Sequence, residues 1–221
     1  MLQESAFERF SLPRVERYLD SLPLALRSYP ECQASRTLLD RFPQDTAFEG
    51  LPDVLAMVSR ERSRAGAWMP EVEYVALLLT IADRAFDGDD EAFLRWATML
   101  TAQHLEQLPI MSLHGNDVSR LVADIPGVWG TCHHGTAMRL ISADESGAEF
   151  SLEYPEGLFP RLILEYFARA LAIAIVRVDG AQPSVELSTS PSAHTLYRAR
   201  WSSRRECFAA TDGSVCEHDS Q

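Results

Sequence analysis

The residues whose side chains are most suited to catalysis or metal binding lie together in segment 131–136, just before a predicted strand. They are Cys132, His133 and His134. Thiolates and imidazoles are common zinc ligands, and a thiol beside an imidazole is typical of a cysteine nucleophile. Neighbouring residues in an extended chain point to opposite faces, so His133 and His134 do not readily bind one ion together. A metalloprotein or enzyme centred on these residues is one hypothesis; loop residues forming hydrogen bonds at the rim of a sheet are the alternative.

Other signatures of catalysis or metal binding are absent from the sequence. The acidic run Asp87–Glu91 lacks the order of carboxylates that a calcium loop requires, and it suits the N-terminus of a following helix. The chain contains no Gly-x-Ser-x-Gly, His-Glu-x-x-His or Gly-x-Gly-x-x-Gly motif. We therefore predict no catalytic residue, no metal ligand beyond the weak candidates in segment 131–136, and no cofactor.

The charges of the chain exclude several classes of function. All 20 basic residues are arginines, so chemistry that needs a lysine amine is excluded. The formal net charge of −12 disfavours nucleic acids and anionic membranes as partners. The N-terminal residues do not resemble a signal peptide, and the most apolar stretch, Tyr74–Ala82, is too short to cross a bilayer. We expect a cytoplasmic protein whose four separated cysteines are reduced.

Apolar spacing predicts an α+β fold. Residues 1–112 show helical periodicity throughout and form a predicted helical N-terminal region. Residues 113–203 form a predicted sensor-like α+β domain, in which a short helix from Asp117 to Asp124, ended by Pro126-Gly127, precedes a roughly four-stranded antiparallel sheet crossed by one long helix. The small, polar residues 204–221 are predicted to be a flexible tail.

The long helix, residues 158–178, is the key element of the prediction. Its charged residues form one narrow stripe, and its other faces are apolar, so the helix must be covered on more than one side. Either the N-terminal helices complete an ordinary core, or an apolar cavity for a small ligand lies between this helix and the sheet. The predicted ligand-binding residues are Phe159, Leu162, Ile163, Tyr166 and Phe167 on the helix and Phe150, Leu152, Tyr197 and Trp201 on the sheet.

The order of elements from Val118 onward resembles a known group. A short helix, Trp129, a His-x-Gly-Thr step ending at Thr136, a hairpin and a final strand with Tyr197-x-x-x-Trp201 are similar to the C-terminal half of myxobacterial paralogous proteins. These resemble the haem-nitric-oxide-binding and vinyl-reductase-like sensor superfamily. The resemblance implies a sensor-like fold with a small-molecule cavity and a regulatory role.

The sequence departs from the haem-binding branch of that superfamily. The branch carries a Tyr-x-Ser-x-Arg motif, whereas Ala199 and Trp201 stand at the corresponding positions after Tyr197. We therefore carry over no haem residue.

Two functional hypotheses follow besides the metalloprotein. The first is a non-enzymatic small-ligand-binding or regulatory protein with an apolar cavity. The second is a protein-interaction or adaptor module without a small ligand, acting with a protein partner or as a homodimer. The adaptor predicts an exposed apolar patch, and the ligand-binding protein predicts an enclosed void.

Overall fold

The fold is α+β, as the sequence predicts. The computed structural model of the chain describes residues 12–40, 42, 51–107, 117–178, 180–190 and 193–203. The predicted tail, residues 204–221, lies outside this part of the chain.

The elements alternate between helices and short strands in the first half and form a sheet with one long helix in the second. The helices are α1 (Pro13–Asp20), α2 (Pro52–Ser63), α3 (Glu71–Phe86), α4 (Asp90–Gln107), α5 (Val118–Cys132) and α6 (Arg161–Val178). The strands are β1 (Gln33–Ser35), β2 (Trp68–Pro70), β3 (His133–His134), β4 (Ala137–Ala143), β5 (Gly147–Glu153), β6 (Gly180–Ser190) and β7 (His194–Ser203). Short 3-10 turns cover Ala25–Arg27 and Arg36–Leu39.

The acidic run after α3 acts as a helix boundary, as predicted. Asp87 ends α3 in the left-handed conformation with φ of 50°. The carboxylate of Asp89 accepts a hydrogen bond of 3.0 Å from the backbone N–H of Ala92 in the first turn of α4. This side chain satisfies a donor that has no partner within the helix.

The predicted four-stranded sheet is confirmed. Its strand order is β4-β5-β7-β6, and all pairs are antiparallel. In the β4–β5 turn, Asp144 Oδ1 accepts a hydrogen bond of 2.8 Å from the N–H of Ser146. Phe150 on β5 lies opposite Tyr197 on β7, and both side chains are fully buried on the same face. The alternation of apolar and polar residues therefore orients one face of the sheet toward the core.

Helix α6 is enclosed, as the sequence predicts. It contacts β6 and β7 on one side and α4 and α5 on the other. The Tyr197 hydroxyl donates a hydrogen bond of 3.3 Å to the backbone carbonyl of Leu164, which ties the helix to the sheet. The predicted start at residue 158 is early, because the helix begins at Arg161 directly after Pro160.

The helical N-terminal region also contains two short strands that the sequence does not indicate. Strands β1 and β2 form a three-stranded antiparallel sheet with β3, in the order β2-β1-β3. Because each strand has only two or three residues, no alternating pattern was long enough to indicate it. The sheet places β3, from the second half of the sequence, against β1 from the first. The division of the chain between residues 112 and 113 stays a prediction.

The predicted end of the helix at Pro126-Gly127 is wrong. Helix α5 continues through both residues to Cys132, although Pro126 removes a backbone donor from its interior. Beyond Pro126, Trp129 stacks on His133 and packs edge-on against Phe167. We attribute the extra turns to this packing, since local propensity alone favours a break at a proline followed by glycine. Asp117 caps the helix through a 3.1 Å hydrogen bond from the Arg120 N–H.

Within the part of the chain that the structure describes, no helix is both long enough and apolar enough to cross a membrane.

Candidate ligand cavity

An apolar cavity of about 150 Å³ lies between helices α4, α5 and α6. Strands β3 and β4 and the 3-10 turn before α2 supply the rest of the lining. The residues that line it are Leu38, Thr101, His104, Leu105, Leu121, Ile125, Val128, Trp129, Cys132, His133, Met138, Tyr166, Phe167, Ala170, Leu171 and Ala174. Aliphatic and aromatic side chains thus form most of the wall.

The position of the cavity follows from the periodicity of α6. Tyr166, Ala170 and Ala174 recur every four residues and lie on the face of α6 that lines the cavity. The alanines leave space there, because their side chains do not reach far from the backbone. Helix α5 supplies the facing wall with Leu121 and Ile125, again four residues apart.

Some residues of the wall reach the surface. Leu121, Met138 and Tyr166 are buried, whereas Cys132 and Ala170 are half-buried. The half-buried residues lie where the cavity approaches solvent, as far as the described residues define it. A small molecule therefore has a short route inward.

Two polar residues of the wall are already hydrogen-bonded to each other. The hydroxyls of Thr101 and Tyr166 lie 3.1 Å apart, and Thr101 Oγ1 also donates to the carbonyl of Ala97 at 2.9 Å. Because these groups satisfy one another, their burial has little cost.

His133 is held by a fully buried carboxylate. Its Nδ1 lies 3.0 Å from Glu71 Oε2, and the side chains are 6% and 0% exposed. The imidazole stacks on Trp129 with a centroid distance of 4.0 Å and meets Phe167 edge-on at 6.0 Å. The ring of His133 is therefore fixed by one hydrogen bond and two aromatic contacts.

Glu71 opens helix α3, where the positive end of the helix dipole favours a carboxylate. Its backbone N–H donates a 2.9 Å hydrogen bond to the carbonyl of Cys32 next to β1. The second carboxylate oxygen, Oε1, is buried and has no hydrogen-bond partner among the described residues. Glu71 therefore depends on His133 as its polar partner.

The turn after β3 requires a glycine. Gly135 has φ of 73°, and a Cβ at this position would lie 2.5 Å from the carbonyl oxygen of Glu31. The thiol of Cys32 contacts the carbonyl of Gly135 at 3.4 Å. Burial raises the pKa of this thiol to about 12, because the thiolate is poorly solvated there, and the charges of Glu31 and Glu71 raise it further. This close approach of two backbone segments holds β3, and with it His133, in place.

The three weak metal candidates do not converge. The ring of His134 stacks on Trp68 with a centroid distance of 3.6 Å, and its side chain is exposed while that of His133 is buried. Cys132 is a free thiol whose Sγ lies 3.7 Å from Thr131 Oγ1. Among the described residues, no group of three or more His, Cys, Asp or Glu side chains is arranged to hold a metal ion.

The predicted ligand-binding residues divide into three groups. Tyr166 and Phe167 line the cavity. Phe159 lines a separate, more polar pocket of about 230 Å³ near the start of α6, with Tyr154 and Arg161. The other predicted residues are buried in the main core, where helix and sheet side chains pack together: Phe150, Leu152, Leu162, Ile163, Tyr197 and Trp201. The cavity thus lies beside α4 and α5, and not between α6 and the sheet as expected.

The sequence prediction missed the walls that α4 and α5 contribute. Leu121, Ile125 and Val128 follow the spacing of one helical face, but this face is recognisable only if the helix continues past Pro126. The sequence did not indicate that Glu71 is a buried partner of His133 either, because an acidic residue at the start of a helix is normally solvated.

Exposed apolar side chains are dispersed. The large ones among the described residues are Leu24, Met99, Ile141 and Val176, which belong to four different segments. No described element exposes more than one of them.

Comparisons with known proteins add little to this geometry. No family model and no curated protein matches the chain. A solved structure described as "Probing the function of heme distortion in the H-NOX family" superimposes with a TM-score of 0.46 at 13% identity, covering 84% of this chain and 95% of that one. Neither membership of that family nor haem binding follows from a likeness at this level.

Proposed function

We propose that the protein is a non-enzymatic binding or regulatory protein that takes up a small apolar molecule, of about the size of one aromatic ring, in the cavity between α4, α5 and α6. The observation that carries this proposal is the void of about 150 Å³ with mostly aliphatic and aromatic walls. In another protein, an apolar cavity of about this volume stays dry and binds benzene or xenon. Pockets for drug-sized ligands have roughly 300 Å³ or more, so the volume of this one suits a smaller molecule.

The energetics of the void support a ligand. An empty cavity costs about 24 cal/mol per Å³, which for the volume of this one amounts to at most about 4 kcal/mol. A molecule that fills the space restores dispersion contacts with the wall and recovers part of that cost.

The direct test is the binding of benzene to the purified full chain, by isothermal titration calorimetry and thermal unfolding. At ten times its Kd, a ligand specific for the folded state adds about 1.4 kcal/mol of stability, which raises Tm by roughly 3–5 °C for a chain of this size. Absence of both heat and a shift of Tm would contradict the proposal.

A matched pair of variants tests where benzene binds. Ala174→Leu places a larger side chain in the cavity and should abolish binding. Ala172→Leu makes the same change on α6 at a half-buried position outside the cavity wall and should leave the Kd unchanged. Equal effects of the two substitutions would place the ligand elsewhere.

Native mass spectrometry of protein purified gently from its own host tests whether the chain carries a small molecule there. A reproducible added mass of a small organic molecule is expected. A doubled mass without any ligand would favour the adaptor hypothesis instead.

A further inference from the structure

One ring nitrogen of His133, in the wall of the cavity, has no hydrogen-bond partner among the described residues. The only polar contact of the His133 ring in the described part of the chain is from Nδ1 to Glu71. His133 nevertheless lines the cavity together with Phe167 and Trp129. Its second nitrogen, Nε2, thus has no hydrogen-bond partner among these residues.

Glu71 determines which form of the imidazole is present. A carboxylate only accepts hydrogen bonds, so Nδ1 must carry the proton that it donates to Oε2. In the neutral ring, Nε2 then carries the lone pair and accepts a hydrogen bond. Carboxylates orient histidines in this way at many functional sites.

The ring of His133 cannot turn away to satisfy Nε2 elsewhere. Trp129 covers one face, with an interplanar angle of 18°, and the edge-on Phe167 ring packs nearby. Rotation would also break the hydrogen bond to Glu71, whose carboxylate has no second partner among the described residues. Leaving one buried charge unpaired is strongly destabilising, so the pair holds the ring in place.

The other polar groups of the wall do not compete for a ligand in the same way. Thr101 and Tyr166 bond to each other, and Cys132 offers only a weak donor. His104 also lines the cavity, but it is half-buried and engaged in an interaction of its own. The cavity therefore combines a mostly apolar body with a buried, oriented acceptor at His133.

We propose that the cavity selects small phenol-type molecules, in which one aromatic ring carries one hydrogen-bond donor, and that this donor binds Nε2 of His133. The inference rests on the proposed function and adds the chemical class of ligand to it. His133 would be a binding residue, and Glu71 a positioning residue that acts through it.

The test compares toluene, phenol and anisole, which have similar rings, by titration calorimetry with the full chain. Water solvates the hydroxyl of phenol, so without a partner in the cavity phenol should bind more weakly than toluene. We expect phenol to bind at least as tightly as toluene. Anisole keeps the oxygen but lacks the donor hydrogen, and should bind no more tightly than toluene.

A variant separates the role of His133 from the general fit of the ring. His133→Phe combined with Glu71→Met replaces the buried pair by apolar side chains of similar size, an exchange that proteins often tolerate. The preference for phenol over toluene should fall at least about tenfold, since the donor loses its acceptor. His134→Phe, at the exposed neighbouring ring, is the control and should leave the preference unchanged.

Nitrogen NMR of the histidine rings keeps the test valid if the double variant does not fold. In the unaltered protein, phenol should shift the Nε2 resonance of His133, and toluene should shift it much less. Resonances showing Nε2 protonated, or a preference for anisole over toluene, would overturn the inference because His133 would then be the donor.

The two proposals fail in different ways. If none of the three compounds binds, the proposed function itself is wrong. If toluene binds but the ratio of the phenol and toluene Kd values is the same in the unaltered protein and in the double variant, the cavity is apolar without selecting a donor, and only the present inference fails.

Discussion

The two sides of helix α6 have similar apolar character and different packing. Toward the sheet, Phe150 and Tyr197 are fully buried in the continuous core. Toward α4 and α5, Ala170 and Ala174 face a void of about 150 Å³. The comparison teaches that an enclosed apolar helix can have a close-packed side and a side with a cavity, depending on the sizes of the facing residues.

Truncating a buried side chain to alanine should reveal the largest difference in stability between the two sides of α6. Phe150→Ala removes a fully buried ring from the packed side and should lower the free energy of unfolding by about 3–5 kcal/mol. Leu121→Ala enlarges an existing void and should lie near the lower limit for such changes, about 2 kcal/mol. Urea denaturation measures both. Equal losses would mean that the cavity side is packed as tightly as the sheet side.

Removal of one partner from the buried pair should have the next largest effect. Glu71→Ala deletes the fully buried carboxylate that accepts from His133 and should cost about 3 kcal/mol. The double variant Glu71→Met with His133→Phe should cost clearly less, since it leaves no polar group unpaired. A double variant as unstable as Glu71→Ala would assign the loss to packing, not to the unpaired imidazole.

Replacing an alanine by a larger residue should destabilise the packed side of α6 more than the side with the cavity. Ala199→Leu adds volume on β7, where the alanine is fully buried opposite Ala148, and should destabilise by about 1–3 kcal/mol. Ala174→Leu adds the same atoms beside the cavity and should change stability by less than about 1 kcal/mol. Thermal unfolding without ligand measures the difference. Similar losses at the two positions would contradict the presence of free space beside α6.

The two described cysteines should differ in reactivity without a large effect on stability. Burial raises the pKa of Cys32 to about 12, so at pH 8 only about one molecule in 10⁴ carries the thiolate that reacts. Cys132 is half-buried in the cavity wall and should react first with a thiol reagent. The measurement uses Cys207→Ser with Cys216→Ser, and saturating benzene should slow the labelling of Cys132. Labelling that benzene does not affect would indicate that the ligand leaves this part of the wall uncovered.

The elements with long, regular patterns were predictable. Strand β5, with Phe150 and Leu152 on one face, and helix α6, with its narrow charged stripe, each repeat their pattern over several periods. The two- and three-residue strands β1, β2 and β3 contain no such repeat. Their pairing depends on contacts between distant segments, such as Ala34 with His133.

The candidate site was predictable only in part. Tyr166 and Phe167 were recognised from the apolar character of α6 and do line the cavity. Residues from α4 and α5 were missed, because the sequence alone does not tell which helices face α6 or that α5 passes through Pro126.

Residue type and spacing alone were sufficient to establish the α+β class, the four-stranded antiparallel sheet and an enclosed long helix, because local periodicity dictates which face of each element must be buried. The location of the void and the pairing of Glu71 with His133, 62 positions apart, depended on the folded chain. Both depend on side-chain volumes and polar groups from segments that are distant in the sequence and meet only in the folded chain. A local sequence pattern therefore does not predict them.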